Sequence, residues 1–302
     1  MARTSNVRKG PSKQLKIDMK AWLFIAPALI FILTFTVYPI LRSLWLGMNQ
    51  LEMGMPKPYF VGFQNYVQLA SEPLFWKVMR NSFAFSLLTV LPSMALGIGL
   101  AVIVNKKIRG VGFLRTAYFY PAVMPMIAIA SIWMFIYMAQ YGMLDQLLAS
   151  VGLKSLNVLS SKKTVLPALS VMYIWKEAGY LMIFFLSGLQ NISTEIYEAA
   201  KIDGARPWTI FRRITLPLLA PTMLFVSTIA LTNSLKLVDH IVIMTEGAPN
   251  NASTLLLYYI YQQGFIYFDQ GKASSLTVIM LVIMLTVSML QFIKTDTKIY
   301  YN

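Results

Sequence analysis

Long apolar runs, interrupted by short polar connections, are the dominant pattern along the chain. Several of these runs approach the roughly 20 residues that a helix needs to cross a bilayer. They place six predicted spans at about 21–46, 81–104, 116–138, 164–189, 218–237 and 275–293. Since the apolar positions are continuous rather than alternating, each run predicts a helix and not a barrel strand. The expected fold is all-α, a polytopic membrane protein with six transmembrane helices and short interfacial helices.

The connections carry weaker local signals. Residues 63–79 predict one or two short helices along the membrane interface, and 144–151 predicts a short surface helix. The stretch Thr245–Asn251 is rich in turn-forming residues and predicts a turn. Pro27 and Pro39 lie in the first predicted span and predict bends there. Pro121 and Pro125 lie near the start of the third predicted span.

Composition and charge refine this topology. The chain has 57% hydrophobic and 13% charged residues, against about 25% charged in soluble domains. Its net charge is +14, and 16 basic residues fall in 1–20, 106–115, 191–217 and 294–302, against 7 in the other connections. Because Lys and Arg accumulate in cytoplasmic connections, both termini and 191–217 are expected in the cytoplasm. The chain thus divides into a basic arm (1–20), a transmembrane domain (21–293) and a tail (294–302).

Several classes of function are excluded by missing residues. The basic residues form no stripe interleaved with aromatics, which argues against nucleic-acid binding. The chain has no cysteine and one histidine, His240, which excludes disulfides, thiolate sites and multi-histidine metal sites. It also has no phosphate-binding loop, nucleophile elbow or zinc helix. We therefore expect transport rather than catalysis, with no metal and no cofactor bound by this chain.

Polar residues inside the predicted spans are candidates for a solute pathway, because ionisable groups are costly in a bilayer. The fourth span contains Trp175, Lys176, Glu177 and Tyr180, which either line a water-filled cavity or bond to neighbouring helices. On the fifth span, Asn233, Lys236, Asp239 and His240 form a polar stripe, with Asp239 and His240 where the span leaves the membrane. That stripe faces either a pathway or another helix. Trp133 and Tyr137 can stack on sugar rings or simply pack.

The segment 191–217 predicts a short amphipathic helix outside the bilayer. Ser193 and Thr194 suit its start, and Glu195 and Glu198 place negative charge at the positive end of the helix dipole. Its small residues, Ala199 and Ala200, would allow another surface to approach closely. Gly204 suits the end of this helix, and Pro207 suits the first turn of the next one. Such a helix is expected to face a partner.

The same segment resembles the EAA loop of membrane subunits of ATP-binding-cassette importers. The matching residues, at the spacing of that motif, are Glu198, Ala199, Ala200, Gly204, Ile214, Leu216 and Pro217. We call residues 191–217 the EAA loop. Residues 62–66 and 187–192 resemble the carbohydrate-uptake branch of these permeases, the MalF-like or UgpA-like subunit, and 245–249 resembles its Thr-x-Gly-Gly-Pro turn with Ala248 at the second glycine.

The resemblance implies a permease domain (21–293) of the type I importer architecture in a bacterial inner membrane. It implies four kinds of partner: a second permease, two cytoplasmic subunits that bind ATP and Mg, a solute-binding protein and a carbohydrate substrate. The residues implied in docking to the ATPase are Glu198, Ala199, Ala200, Asp203, Gly204, Ile214, Leu216 and Pro217.

Other functions stay open from the sequence. Glycerol 3-phosphate or its diesters are alternative substrates within the same family. An ion-coupled secondary transporter is an alternative of another class, which would predict inverted repeats and interrupted helices. A membrane-embedded enzyme would need a catalytic cluster.

Overall fold

The computed structural model describes residues 11–106 and 109–296. The predicted arm 1–20 and tail 294–302 fall partly outside these residues. Five described helices are long and apolar enough to cross a membrane: Trp22–Gly47, Pro73–Val104, Val165–Gln190, Ala220–Met244 and Gln270–Gln291. A sixth candidate is a pair of helices bent by 96°. The predicted all-α, polytopic fold is confirmed.

The first third of the chain forms one long span, a small hairpin and a second span. The first span is α1 (Pro11–Ile32), a π-helical turn (Leu33–Val37) and α2 (Tyr38–Gly47). Two antiparallel strands follow, β1 (Asn49–Gln50) and β2 (Tyr59–Phe60), then α3 (Gln64–Ser71) and α4 (Pro73–Val104). α4 begins eight residues before the predicted span at 81, because Glu72 is extended and Pro73 suits a first helical turn.

The third span differs from its prediction. The predicted helix 116–138 is two helices, α5 (Val111–Val123) and α6 (Met126–Ile136), joined at the 96° bend. Met124 between them is extended, with φ −68° and ψ 139°. A residue before proline is driven out of the helical region by clash with the ring, so Pro125 explains the break. The predicted surface helix follows as α7 (Met143–Ser150), and then α8 (Val165–Gln190) spans.

The remaining elements include the EAA loop and the last two spans. In chain order they are α9 (Thr194–Ile202), α10 (Pro207–Ile210), a π-helical turn (Phe211–Thr215), α11 (Leu216–Leu218), α12 (Ala220–Leu235), α13 (Asp239–Met244), α14 (Leu256–Tyr261), a π-helical turn (Gln262–Ile266) and α15 (Gln270–Asp296). We call the end of the bundle that carries the EAA loop the loop end, and the other the opposite end.

The fifth span also differs from its prediction at 218–237. The helix breaks after Leu235 and resumes as α13, so the apolar segment continues to Met244. His240 lies within this longer apolar segment, four residues before its end, and is fully buried with its ring 5.7 Å from that of Phe85. Ile241 and Met244 pack into the same apolar cluster, which draws α13 into the bundle.

Apolar contacts hold the bundle together around α4 and α8, which form the most extensive helix pair. One cluster lies at the loop end and includes Ile98, Leu181 and Leu219. At the opposite end, α2 packs on α15, and Ser275 Oγ donates to the Gly47 carbonyl at 3.0 Å. α8 therefore occupies the centre of the fold, in position to contact several spans.

Candidate functional site

The helix of the EAA loop has well-defined ends. Ser193 caps α9, with its Oγ accepting the Glu195 amide at 3.2 Å. At the other end the amides of Asp203 and Gly204 donate to the carbonyls of Ala199 and Lys201, each at 3.0 Å. Gly204 has φ +73°, a left-handed conformation that glycine adopts without steric cost. The caps and the glycine turn that the sequence predicted are present.

Two contacts fix this helix against the following segment. The Tyr197 hydroxyl lies 3.3 Å from Thr215 Oγ1, which joins α9 to the π-helical turn after α10. Leu216 and Phe211 pack against the apolar cluster at the loop end, while Pro217 is exposed and Ile214 is half-buried. Tyr197 was not singled out from the sequence, because a tyrosine next to a glutamate forms no distinctive motif. The EAA loop is thus a preformed surface.

The exposed face of the EAA loop combines charged and apolar residues. Glu198, Ala199 and Asp203 are exposed, as are two large apolar side chains, Ile202 at 86% and Trp208 at 69%. Ala200 is only 8% exposed. The small face expected for a partner is therefore half occupied within the chain: Ala199 is available and Ala200 is not. Exposed large apolar groups beside charges are typical of a protein interface.

A cavity of about 530 Å³ opens between the EAA loop and the end of α4. Asn105 and Lys106 line it just after the end of α4, and Glu198, Lys201 and Phe211 line it from the loop. Glu198 therefore faces both this cavity and the exposed surface of α9. The arrangement leaves room for a partner side chain beside Glu198.

Lys176 is half-buried and contacts the third span. Its Nζ donates to the carbonyl oxygens of Pro121, Ala122 and Met124 at 3.1, 3.0 and 3.1 Å, which places the ammonium at the bend between α5 and α6. Of the two interpretations left open by the sequence, bonding to a neighbouring helix is the one that the structure has. Its partners are backbone atoms more than 50 positions away, so residue types do not reveal them.

Glu177 and Asn233 meet between two spans. Glu177 is buried on α8, and the Asn233 amide of α12 donates to its Oε1 at 3.0 Å. Lys236 and Asp239 are exposed on either side of the break between α12 and α13. The four residues of the predicted stripe on the fifth span therefore have different surroundings. Asn233 forms a hydrogen bond to another helix, and His240 is packed in the core. Lys236 and Asp239 are exposed.

The aromatic candidates form two groups. The Trp133 ring lies 5.3 Å from Tyr137 and 5.8 Å from Trp175, so three of the candidates form one aromatic cluster. Tyr137 is buried, and its hydroxyl donates to the Ala168 carbonyl at 2.9 Å, whereas Trp175 is 46% exposed. Tyr180 packs separately against Phe184 at 5.1 Å. Part of the Trp175 ring is therefore uncovered within this chain.

Within 11–106 and 109–296, no group of three or more His, Asp or Glu side chains is close enough to hold a metal ion.

Comparisons with known proteins place this arrangement in a family. A family model described as binding-protein-dependent transport system inner membrane component matches residues 82–294. The chain is 31% identical to the trehalose/maltose transport system permease protein MalF of Thermococcus litoralis, over 88% of this chain and 90% of that protein. It is also 31% identical to the sn-glycerol-3-phosphate transport system permease protein UgpA of Agrobacterium fabrum, over 93% of this chain and 96% of the relative.

A solved structure shares the fold. One chain of a bacterial ABC transporter involved in the import of the acidic polysaccharide alginate superposes with a TM-score of 0.82 at 24% identity, covering 94% of this chain and 98% of that one. The family match covers the EAA loop and every described span except the first and the beginning of the second. The chain therefore belongs to the family of inner membrane components of binding-protein-dependent transport systems.

Proposed function

We propose that this chain is a permease subunit of an ATP-driven importer for a carbohydrate, and that its EAA loop docks onto a cytoplasmic ATPase subunit. The observation that carries the proposal is the EAA loop itself: a capped, preformed helix with exposed Glu198, Ile202 and Trp208 on a membrane protein. Since the sequence has no phosphate-binding loop, ATP and Mg are bound by the partner. No catalytic role is assigned to this chain.

The partners follow from the same proposal. A second permease completes the translocation pathway, two ATP-binding subunits engage the EAA loops, and a solute-binding protein delivers the solute from outside. The excess of basic residues in and around the EAA loop supports a cytoplasmic loop end and cytoplasmic termini. The residues proposed to act in docking are Glu198, Ala199, Asp203, Gly204, Ile214, Leu216 and Pro217, with Ala200 supporting them from beneath.

A sugar is favoured over a phosphorylated solute by the groups near the middle of the spans. Trp175 is partly exposed within the cluster that includes Trp133 and Tyr137, and aromatic faces stack on the apolar faces of sugar rings. Lys176, the cation nearest this cluster in sequence, already donates to three carbonyls and is not available for a phosphate. The relative that carries sn-glycerol 3-phosphate makes that solute the second candidate.

Uptake by the assembled complex in proteoliposomes tests the proposal. The solutes offered are labelled maltose, trehalose, lactose and sn-glycerol 3-phosphate, each with and without ATP inside the vesicles. We expect one of the sugars to accumulate inside the vesicles, and we expect this accumulation to require both ATP and the solute-binding protein. Accumulation of glycerol 3-phosphate alone would favour the second candidate. Uptake driven by an ion gradient without ATP would identify a secondary transporter and contradict the proposal.

A further inference from the structure

The bend in the third span leaves backbone carbonyls without their usual partners. α5 ends at Val123, so its last carbonyls have no amide in the following turn. The Pro121 carbonyl would accept the amide of residue 125, but that residue is proline and has no N–H. Unpaired carbonyls are costly where no water can reach them. A donor from elsewhere in the fold must therefore satisfy them.

Lys176 supplies that donor from α8. An ammonium has three N–H groups, and its Nζ lies within 3.1 Å of three carbonyl oxygens at the bend, those of Pro121, Ala122 and Met124. A positive charge is also favoured at the negative end of the α5 dipole. Lys176 thus satisfies two of the last four carbonyls of α5 and the carbonyl of the extended residue that follows the helix.

Other contacts attach both halves of the bent span to α8. On the α5 side, Gly179 allows the Tyr118 carbonyl to approach so closely that a Cβ atom at position 179 would overlap it. On the α6 side, Trp133 packs on Trp175, and the Tyr137 hydroxyl just after the helix donates to α8. The bent span therefore contacts α8 on the α5 side of the bend, at the bend itself and on the α6 side.

The next residue, Glu177, joins α8 to α12 through Asn233. These are the two helices that flank the EAA loop, since α8 ends at Gln190 and α12 begins at Ala220. Glu177 and Asn233 each lie 13 residues from those ends, about 20 Å along a helix at 1.5 Å per residue. α8 and α12 are therefore connected twice, by the EAA loop at their ends and by the hydrogen bond between Glu177 and Asn233.

We propose that Lys176 and Glu177 couple the motions of three spans, and we call this pair the clamp. Glu177 makes α8 and α12, the helices that flank the EAA loop, move together, and Lys176 makes the bent third span move with them. The inference rests on the proposed function, because it assigns a route for the motion that an ATPase would impart to the loop. Lys176 is a positioning residue in this account, acting on the bend and not on the solute.

Substituting Lys176 in the assembled importer tests the clamp. The variants are Lys176→Met, which removes the donors, Lys176→Arg, which keeps charge and several donors, and Lys163→Met, an exposed lysine outside the spans as control. In proteoliposomes, with the sugar that the unsubstituted complex accumulates from maltose, trehalose and lactose, we expect Lys176→Met to reduce uptake per ATP hydrolysed roughly tenfold, a typical coupling between sites. ATP hydrolysis itself should persist, Lys176→Arg should recover most of the uptake, and Lys163→Met should match the unsubstituted complex.

A distance measurement across the bend gives a second readout. The chain has no cysteine, so spin labels can be attached to cysteines introduced at exposed Thr116 on α5 and Ile132 on α6. In the complex with Lys176 we expect one narrow distance distribution, and in Lys176→Met a broadened or shifted one. Asn233→Leu, which breaks the other side of the clamp, should lower uptake per ATP while leaving this distribution narrow.

The outcomes separate the clamp from the proposed function. Unchanged coupling and an unchanged distance distribution in Lys176→Met would overturn the clamp and leave the importer assignment intact. Loss of assembly, ATP hydrolysis and uptake together, without recovery in Lys176→Arg, would show a purely structural lysine and also overturn it. Absence of ATP-dependent uptake by the unsubstituted complex would instead overturn the proposed function.

Discussion

At the scale of single residues, the turn after the EAA helix depends on one glycine. Gly204 has φ +73° and no heavy atom within 4 Å of where a Cβ would stand, so the constraint is on the backbone alone. A left-handed conformation costs a residue with a Cβ about 1–2 kcal/mol. Gly152 provides a close match, with φ +74° and equally open space, but it lies after α7, far from the EAA loop in sequence.

We expect Gly204→Val and Gly152→Val to behave differently in transport although their local strain is the same. Gly204→Val should shift the orientation of α10 relative to α9 and lower uptake per ATP by roughly fivefold or more, the lower range of coupling between sites. Gly152→Val should leave that ratio unchanged, with both measured in proteoliposomes beside ATP hydrolysis. Equal effects of the two substitutions would show that backbone strain, and not the EAA loop, is responsible.

Single residues also show how far the sequence predicts the site. The EAA residues could be assigned because their spacing in the chain is itself the signal, and a local helix displays them. Burial of Ala200 could not be assigned, because it depends on how α9 rests on the rest of the fold. For Lys176 the sequence showed a costly charge inside a span and left two interpretations, since backbone carbonyls look alike at every position.

At the scale of elements, the close contact between α5 and α8 is made possible by Gly179. A Cβ there would overlap the Tyr118 carbonyl, which is backbone and cannot rotate away. Overpacking of a tight contact costs about 1–3 kcal/mol. Gly99, five residues before the end of α4, is also helical but has no heavy atom within 4 Å of a Cβ position. The two glycines therefore allow the effect of packing to be separated from that of helix propensity.

We expect Gly179→Ala to lower the thermal unfolding temperature of the purified protein and Gly99→Ala to leave it unchanged or raise it. Alanine stabilises a helix relative to glycine by about 0.5–1 kcal/mol. At position 99 this gain is the only effect expected, whereas at position 179 the steric overlap with Tyr118 outweighs it. The measurement is thermal unfolding in detergent, followed by circular dichroism. Stabilisation by Gly179→Ala would contradict the close approach of α5 and α8.

Span prediction also has a physical limit at this scale. Apolar runs identify where a helix can lie in lipid, but they do not show where it bends. The third span was predicted as one helix because Pro125 stands inside a continuous apolar run, and proline is tolerated in spans when another group satisfies the freed carbonyls. That group, Lys176, is 51 residues further along the chain. The fifth span likewise continues beyond the break at Lys236 as α13, which packs against α6.

At the scale of the whole molecule, the two ends of the bundle are built differently. The loop end is held chiefly by apolar contacts, among them Leu181 and Leu219. The opposite end has its own apolar cluster, around Leu69 and Leu276, and adds polar bonds between distant parts of the chain. Lys272 on α15 forms an ion pair with Glu72, just before α4, at 2.6 Å, and the backbone amide of Gln270 donates to the Leu51 carbonyl at 2.8 Å. Directional bonds fix geometry more strictly than apolar contacts, so we expect the opposite end to be the more rigid one.

Tyr259 is the centre of this polar junction and carries the last prediction. Its hydroxyl donates to Glu72 Oε2 at 2.9 Å, and its pKa is raised, first by burial and then by that hydrogen bond, so the proton stays in place near neutral pH. A hydrogen bond to a charged group contributes about 1.5–3 kcal/mol, reduced here because Glu72 is partly exposed. Tyr259→Phe should therefore lower the unfolding temperature by a few degrees. The same change at exposed Tyr59 should have no effect.

Tyr259→Phe should also leave uptake per ATP unchanged, because the opposite end moves little relative to the clamp and the EAA loop. This pairing of lost stability with retained coupling is the reverse of the result expected for Lys176→Met, where coupling is lost and ATP hydrolysis persists. Thermal unfolding and proteoliposome uptake on the two variants side by side measure both quantities. If Tyr259→Phe uncoupled transport as strongly as Lys176→Met, motion would have to pass through both ends of the bundle, and the opposite end could not be its fixed part.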